Sequence, residues 1–572
     1  MSKDTSLIDS FPFASYLDSN YIPSDEEVVQ IKSFLTQPRE QLEQMKAEMD
    51  RLQAELSSVK SKYDSLYRQF NSCASLITLP RRVPDDVLEE IFCQSLPTDR
   101  NALLDIKAAP LIFTRICPHW RQIALASPRL WSTIHIHALP KSYNSFHPDE
   151  LPPKQDELRA AAALEWLKRS GDLPLQISLI AYSDPFGDLL VFDPYLSLLV
   201  PFCSRWKSLI LEGDSRSFSR ILGAANLRSL ELLVLDFDPS GYHEDNRPED
   251  FISSLSNCGL LTVPSLRRLS IRRLLTMDPT NLNANWSQLT HLELGAPSGK
   301  WRNLMTMHMS TASEILRVSS RLVSCRIKIG AWGGSSSPIH LMRLPFLRQL
   351  SIDIEGYILP FTENLEVPAL QEIKLRVINI TGNNVDYKTC LAPLFRPPQG
   401  TIQKLIIDTR YLDHESFLDI LRKCPDLISL TVNDSQLYTS LSRDSETPLT
   451  TIDDQFLERI SSKNGEVLCS QLEEFICDYP APFSTTGMIE FIKRKQDGNI
   501  PKLAKLKEVA MLPRSEEDLR GRTLFLPGEL QPYISRGLTF HVGLRAHKDS
   551  NASFRHLAVY GHSTQYADFW VL

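Results

Sequence analysis

The chain has 572 residues, of which 42 % are hydrophobic and 23 % are charged, and its formal net charge is −7. This composition is typical of globular proteins and excludes a chain that is disordered throughout. The chain has no sustained basic run, which argues against a nucleic-acid-binding protein, so we expect no nucleic acid partner.

The apolar segments are too short for a membrane protein. No apolar run approaches the roughly 20 residues that cross a bilayer, and the first residues lack the apolar core of a signal peptide. We therefore expect no membrane partner. The ten cysteines are scattered, with no C-x-x-C pair. This usage is typical of reduced thiols and predicts a cytoplasmic or nuclear protein.

The first predicted elements are a short tail over residues 1–24 and a long helix over residues 25–78. Ser24 and Glu27 have the spacing of a capping box at the helix start. Farther on, apolar residues recur at alternating intervals of three and four, the pattern of a coiled-coil seam. The seam consists of Leu42, Met45, Met49, Leu52, Leu56, Val59, Tyr63, Leu66 and Phe70.

Pro38 falls on the same frame and should kink the helix, so the clearest coiled-coil span is about 40–77. Two interpretations of the seam remain open. One is a self-associating coiled coil, which would make the protein a homodimer. The other is a long helix packed on the surface of its own protein.

Residues 79–135 predict three short helices. In VPDDVLEEIF, Pro84 suits the first turn of a helix, and apolar residues then lie on one wide face. In LIFTRICPHWRQIALA, further apolar residues have helical spacing, and Pro118 divides the stretch into two helices. A unit of about 55 residues cannot easily bury all of these side chains within itself, so the surplus apolar surface predicts a partner.

This order of features resembles the F-box, a helical motif that docks on the adaptor Skp1. The resemblance rests on VPDDVLEEIF followed by APLIFTRICPHWRQIALASPRLW. The upstream heptads and the insert between the two stretches look like F-box proteins of mushroom-forming fungi. Val83-Pro84 stands where the family usually has Leu-Pro, although Leu79-Pro80 also occurs. The resemblance implies a docking face or supporting core made of Pro84, Val87, Leu88, Ile91, Phe92, Ile116 and Trp120.

Residues 136–200 predict a linker, a helix and a first strand. Over residues 201–572 an apolar-x-x-apolar-x-apolar motif then recurs eleven times. Its alternation predicts strands with one buried face, and VPSL, LPFL, VPAL and CPDL predict the turns before them. The motif starts at Trp206, Leu230, Leu266, Leu289, Leu322, Leu347, Leu370, Ile402, Leu427, Leu472 and Leu506.

One such unit cannot bury its apolar row alone, so the units must stack. The pattern resembles the irregular leucine-rich repeats that often follow an F-box, and the final 50 or so residues predict a cap. An ordinary α/β domain with buried strands is the alternative. The predicted fold class is therefore multidomain α+β: an N-terminal coiled-coil helix, a three-helix F-box and a C-terminal irregular leucine-rich-repeat α/β solenoid.

The sequence carries no recognised catalytic or metal-binding motif. It has no phosphate-binding loop, no H-E-x-x-H and no G-x-S-x-G elbow. His135 and His137 would share one face of a strand, Cys93 and Cys117 lie on helical faces, and all four are interpreted as structural. We expect no cofactor, no metal and no catalytic residue, and hence a protein that is not an enzyme.

The resemblance implies a substrate-recognition subunit of an SCF-type E3 ubiquitin ligase. Its F-box would bind a Skp1-like adaptor, and through it a cullin, while the concave face of the solenoid would bind an unidentified protein substrate. The alternatives are a coiled-coil/leucine-rich-repeat scaffold without a ligase role and an enzyme with an unrecognised site in the C-terminal half. Candidate concave positions are Arg268, Ser270, His291, Glu293, Gln349 and Ser351.

Overall fold

The computed structural model describes most of the chain in segments. They are residues 8, 10–17, 19–74, 82–138, 154–181, 193–214, 227–238, 255, 259–272, 279–295, 306–330, 338–379, 387–396, 401–409, 412–433, 452–461, 468–480, 483–497, 503–512 and 528–542. Three predictions lie outside these segments: the helix end at 75–78, the linker at 139–153 and the cap beyond 542. The chain divides into two compact units, residues 1–88 and residues 89–572.

One helix dominates the first unit. It is α1, Asp25–Ala74, 50 residues long, and a short 3-10 turn, Ala14–Tyr16, precedes it. At its start the Glu27 carboxylate accepts the Ser24 backbone N–H at 2.8 Å, so this half of the predicted capping box is present. The predicted long helix is confirmed. It continues through Pro38.

Three short helices follow, as the proline positions predict. They are α2, Asp85–Gln94, which spans the division between the units, α3, Phe113–Ile116, and α4, Pro118–Ala126. Pro118 is the first residue of α4, where its fixed φ suits a helix and its missing N–H would have had no helical partner. The predicted break between two helices is therefore confirmed.

A parallel sheet forms the framework of the second unit. Fourteen strands of the described segments cross it in chain order, and each pairs in parallel with its neighbours. They are β1 (Thr133–Ala138), β2 (Leu175–Ala181), β3 (Trp206–Asp214), β4 (Leu232–Asp238), β5 (Arg268–Arg272), β6 (His291–Leu294), β8 (Ser324–Gly330), β10 (Gln349–Glu355), β12 (Glu372–Asn379), β13 (Lys404–Asp408), β14 (Ser429–Asn433), β15 (Glu474–Pro480), β16 (Glu508–Leu512) and β17 (Thr539–Val542).

Three very short strands lie off this path. β7 (Met307–His308) pairs with β8, and β9 (Met342–Arg343) pairs with β11 (Leu365–Glu366). Successive parallel strands require crossovers, and helices lie in several of them. These are α5 (Lys154–Arg169), α6 (Asp193–Leu199), α7 (Met309–Val318), α8 (Leu359–Glu363), α9 (Tyr387–Leu391), α10 (His414–Arg422), α11 (Asp454–Arg459), α12 (Thr485–Gln496) and α13 (Gln531–Ile534). Further 3-10 turns cover Pro128–Trp131, Val200–Arg205, Pro279–Asn281, Trp286–Gln288, Ala392–Phe395 and Gly528–Leu530.

Each of the eleven sequence motifs coincides with one strand of the sheet, from β3 to β16. At β5, Leu266 lies just before the strand while Leu269 and Ile271 lie within it, and none of the three is more than 1 % exposed. The intervening strand positions face the opposite side of the sheet. The predicted strands and the parallel sheet are confirmed, and the chain combines a long helix with a parallel α/β region.

The predicted turns before the strands share one geometry. In each, the N–H of the last residue donates to the carbonyl of the residue three positions earlier, and the proline occupies the second position. Proline is favoured there because its φ already has the value that the turn requires. The bonds are Leu266 to Val263 (3.1 Å), Leu347 to Leu344 (3.2 Å), Leu370 to Val367 (3.1 Å) and Leu427 to Cys424 (3.3 Å).

Candidate functional site

The helical segment α2–α4 is built around stacked aromatic rings. Phe92 is completely buried, and its ring stacks on Phe113 with centroids 4.3 Å apart. The Trp120 ring approaches Phe92 at 4.9 Å. At the start of α4 the Cys117 sulfur accepts the Trp120 backbone N–H at 3.4 Å, which fixes the tryptophan over this cluster. Phe92 and Trp120 therefore belong to one aromatic core.

The seven residues implied by the F-box resemblance differ in solvent exposure. Leu88 and Phe92 are buried, and Trp120 is partly buried. Val87, Ile91 and Ile116 are 45 %, 47 % and 53 % exposed, and Pro84 is also exposed. A large aliphatic side chain that stays half exposed contributes little to folding and is available to a partner. The four exposed residues are the accessible part of the set.

The helical segment is joined to the first strand of the sheet. Ser127 Oγ donates to Glu89 at 2.6 Å, and Arg129 forms an ion pair with Glu90 at 2.8 Å. The Trp131 indole N–H donates to the Ala124 carbonyl at 2.8 Å. The buried ring of Trp131 also meets Trp166 of α5 edge to face, with centroids 4.9 Å apart. These contacts fix Ile91 and α4 on a rigid support.

The face of the sheet opposite its apolar core carries polar side chains in rows. Arg268 of β5 is in register with His291 of β6. Two residues farther along these strands, Ser270 is in register with Glu293. Through β8 both rows continue to β10, where they reach Gln349 and Ser351. The six candidate concave positions therefore share one face. They differ in exposure, because Ser270 and Glu293 are completely buried while the other four remain partly exposed.

Glu293 is the centre of a buried ion cluster. Its carboxylate accepts from Ser270 Oγ at 2.5 Å and from Arg272 at 3.0 Å, and Arg326 approaches it at 3.4 Å. Burial favours the neutral acid, but the two guanidinium groups and the Ser270 hydroxyl outweigh it and lower the pKa of Glu293. One buried carboxylate thus balances two buried cations.

A second ion pair, with a buried carboxylate and a partly exposed arginine, lies two strands farther along. Arg376 of β12 donates to both oxygens of Asp353 of β10, at 2.8 and 2.7 Å. Burial opposes ionisation of Asp353, yet the Arg376 charge prevails and the pKa of the carboxyl is lowered. Lys328 of β8 lies beside them, and burial lowers the pKa of its ammonium group. A bidentate geometry of this kind holds neighbouring strands in register.

A shallow pocket of about 450 Å³ opens where β3–β6 begin. Its lining includes Lys207, Glu231, Arg267, Arg268 and His291. Lys207 and Glu231 form an exposed ion pair at 3.7 Å. Burial, followed by the Arg268 charge, lowers the pKa of His291 to about 4. His291 is therefore neutral at pH 7 and can act as a hydrogen-bonding group on an otherwise mostly cationic wall.

The histidines and cysteines singled out in the sequence occupy structural surroundings. His135 Nδ1 lies 2.8 Å from Ser178 Oγ, and burial, with His137 and Arg100 nearby, lowers the pKa of His135 to about 4. Burial raises the pKa of the Cys93 thiol, which disfavours the thiolate that a nucleophile needs. Within the described segments, no three His, Cys, Asp or Glu side chains are grouped as a metal site would require.

No protein-family model matches the chain, and no curated protein matches it. Among the residues that the structure describes, none of the helices combines the length and apolar character needed to cross a membrane.

Sequence reasoning missed the buried ion cluster, and it left β1 out of the recurring motif although His135 and His137 were placed on one face of a strand. Arg272 and Arg326 of the cluster stand at strand positions that normally face solvent, so each looked like an ordinary surface charge. One signal in the sequence was that the charged strand residues of neighbouring motifs have opposite signs, as ion-pair partners would. β1 does not fit the motif because Leu130 and Ile134 are four residues apart, where the first two apolar residues of the other motifs are three apart. The turn Ser127–Leu130, closed by a 3.3 Å bond, nevertheless matches the turns of the later strands.

Proposed function

We propose that this protein is a substrate-recognition subunit of an SCF-type ubiquitin ligase that works in the cytoplasm or nucleus. The F-box docks on a Skp1-like adaptor, and the parallel α/β region, an irregular leucine-rich-repeat solenoid, holds the substrate. Catalysis belongs to the partner enzymes, which this receptor brings close to the substrate at high effective concentration. The observation that carries the proposal is the half-exposed state of Ile91 and Ile116 beside a well-formed aromatic core.

The exposed side chains are the ones to test. Leu88→Asp or Phe92→Asp would place charge in the folded core and unfold the segment, because both side chains are buried. Ile91 and Ile116 are about half exposed, so an aspartate at either position stays in contact with water in the free protein. In a complex the same aspartate would be desolvated without a counter-charge. This difference separates a binding defect from a folding defect.

The decisive experiment measures the binding of purified Skp1 to the full chain. We expect the wild type to bind and Ile91→Asp plus Ile116→Asp to bind at least about 100-fold more weakly, because each buried aspartate opposes the contact. The control is Gln94→Asp plus Gln122→Asp, which adds the same charge at two exposed polar positions of α2 and α4. It should bind like the wild type, and circular dichroism should be unchanged in both variants.

Substrate contact is assigned to the partly exposed row of the sheet. Arg268, His291 and Gln349 are reachable, whereas Ser270 and Glu293 are completely buried and hold the strands together. The pocket at the start of β3–β6 lies along this same row.

The alternative is a scaffold without a ligase role. If neither the wild type nor the control binds Skp1 while both remain folded, the F-box resemblance is one of helical pattern alone. The protein is then better described as a coiled-coil scaffold whose sheet carries a different partner.

A further inference from the structure

The seam of α1 is uncovered along its whole length. Its nine residues, from Leu42 to Phe70, are between 51 % and 69 % exposed. They extend over 28 residue steps of one helix, which is about 42 Å at 1.5 Å per residue. A continuous apolar stripe of this length on a 3.5-residue repeat is stable in water only when another helix with the same repeat covers it.

The length of the stripe identifies the helix that can cover it. Outside α1, the longest helix of the described segments is α5, with 16 residues, and the next is α12, with 12. A 16-residue helix covers about 24 Å, little more than half of the stripe. A second copy of α1 has the required length and the same heptad frame. Self-association is therefore the arrangement that buries every seam residue.

The charges of α1 determine the direction of pairing. Residues 40–56 contain five acidic and two basic side chains, for a net charge of −3, and residues 57–74 contain three basic and one acidic, for a net charge of +2. A parallel pair would place like-charged halves side by side. An antiparallel pair centred between Leu56 and Val59 places each acidic half against a basic half, which favours association and fixes the register.

The sizes of the seam residues lead to the same arrangement. In the antiparallel register, Phe70 faces Met45 of the second copy, and Tyr63 faces Leu52 of the second copy. Each large ring then meets a flexible or medium-sized side chain, and a methionine sulfur beside an aromatic ring is a favourable contact. A parallel pair would instead oppose Phe70 to Phe70 and Tyr63 to Tyr63. The antiparallel layers have more nearly equal volumes.

We propose that α1 forms an antiparallel two-stranded coiled coil with a second copy of this chain, so that the protein is a homodimer. This inference goes beyond the proposed ligase role and does not depend on it. A dimeric receptor of this design could hold two sites of one substrate or two substrates at once.

The first test is the mass of the full chain by light scattering. The wild type should be a dimer of about twice 65.0 kDa at micromolar concentration. Leu56→Asp plus Val59→Asp should be monomeric, because the two central layers would each bury charge. The matched control, Ser57→Asp plus Ser58→Asp, adds the same charges to the same helical turn off the seam and should stay dimeric. A monomeric wild type would overturn the proposal, as would a trimer.

The second test determines direction through Cys73, which continues the heptad frame and is exposed. In the antiparallel register Cys73 faces Leu42 of the second copy, whereas the two Cys73 thiols are about 46 Å apart. With diamide as oxidant, Leu42→Cys should yield a disulfide between the introduced thiol of one chain and Cys73 of the other, located by mass spectrometry. Adding Cys73→Ser should abolish it. A Cys73–Cys73 disulfide between two chains would show parallel pairing and overturn the antiparallel assignment.

These outcomes remain distinct from a failure of the ligase proposal. Skp1 binding is measured through α2–α4, and the monomeric Leu56→Asp plus Val59→Asp variant keeps that segment unchanged. If the variant is monomeric and still binds Skp1, dimerisation and adaptor docking are separate properties of the chain.

Discussion

Lys495 lies in a surrounding that the sequence does not reveal. It sits on α12 in a run of basic residues, yet it is completely buried, and its ammonium group donates to the Cys469 carbonyl at 3.0 Å. Burial lowers its pKa from 10.5 to about 8, and the Cys469 thiol opposes this shift only partly. A buried cation that pairs with a neutral carbonyl destabilises the fold at neutral pH.

We expect Lys495→Met to stabilise the protein by about 1–2 kcal/mol at pH 7, because it removes a desolvated charge and keeps most of the side-chain volume. The folded-state pKa is below the unfolded one, so the wild type gains stability as pH rises from about 8 towards 10.5. The advantage of the variant should therefore shrink over that range. Urea denaturation at pH 7 and pH 9.5 measures both effects.

The control for this substitution is Arg494→Met on the same helix. Arg494 is partly exposed and lies 3.9 Å from Glu458, a distance at which an exposed ion pair contributes little. Its replacement should change stability by less than about 0.5 kcal/mol at both pH values. A wild type that is more stable than Lys495→Met at pH 7 would contradict the assigned cost of burial.

At the scale of single strands, the buried ion cluster helps to fix the register of neighbouring strands. Glu293 of β6 touches Arg272 of β5 and Arg326 of β8, so one carboxylate connects three consecutive strands of the sheet. A one-residue slip of any one of these strands would turn its charged side chain towards the apolar core.

Glu293→Gln should destabilise the protein by about 3–5 kcal/mol, because it removes the buried carboxylate charge that Arg272 and Arg326 share. The same substitution at Glu366, whose partner Arg343 is 2.9 Å away but largely exposed, should cost less than about 1 kcal/mol. Chemical denaturation of the two variants gives the comparison. Equal losses would mean that the Glu293 cluster is no stronger than a surface ion pair.

Much of the architecture at this scale could be predicted from the sequence. The eleven motifs predicted eleven strands because a buried strand face requires apolar residues at every second position, and Leu266, Leu269 and Ile271 show how strictly the rule holds. The heptad frame likewise predicted α1. The exposure of individual residues on α2 was less predictable, because periodicity places Val87 and Leu88 on one wide face while packing buries only Leu88.

At the scale of the whole second unit, stability is distributed along the sheet. Each of the fourteen strands on the described path pairs with the strands before and after it on that path, so distant strands of the path influence one another through those between them. The sequence predicted a stack of strands through the recurrence of the motif. It could not predict which polar row becomes buried, because that depends on how side chains from three or more strands meet.

This arrangement predicts how the stability losses of two cavity-forming substitutions combine. Leu209→Ala in β3 and Leu430→Ala in β14 should each cost about 2–5 kcal/mol, because both side chains are completely buried. Their effects should add to within about 0.5 kcal/mol in the double variant. Leu209 and Leu233 are direct register partners, so their paired substitution should depart from additivity by more than that. Urea midpoints of the single and double variants provide the values, and strong coupling of the distant pair would contradict nearest-neighbour behaviour.

The chain-order pairing of the sheet also bears on how the protein is made. A ribosome releases β4 before β5 and β5 before β6, so each strand of the fourteen-strand path after β1 is made after the neighbour that precedes it on the path. In the main run of fourteen strands, no finished strand has to be reopened to admit a later one. At each moment of synthesis the strand formed last is the growing edge of the sheet. The next strand to leave the exit tunnel pairs with it. Synthesis and folding can therefore proceed at the same pace, and a nascent chain halted between two strands would already hold a shorter sheet of the same construction.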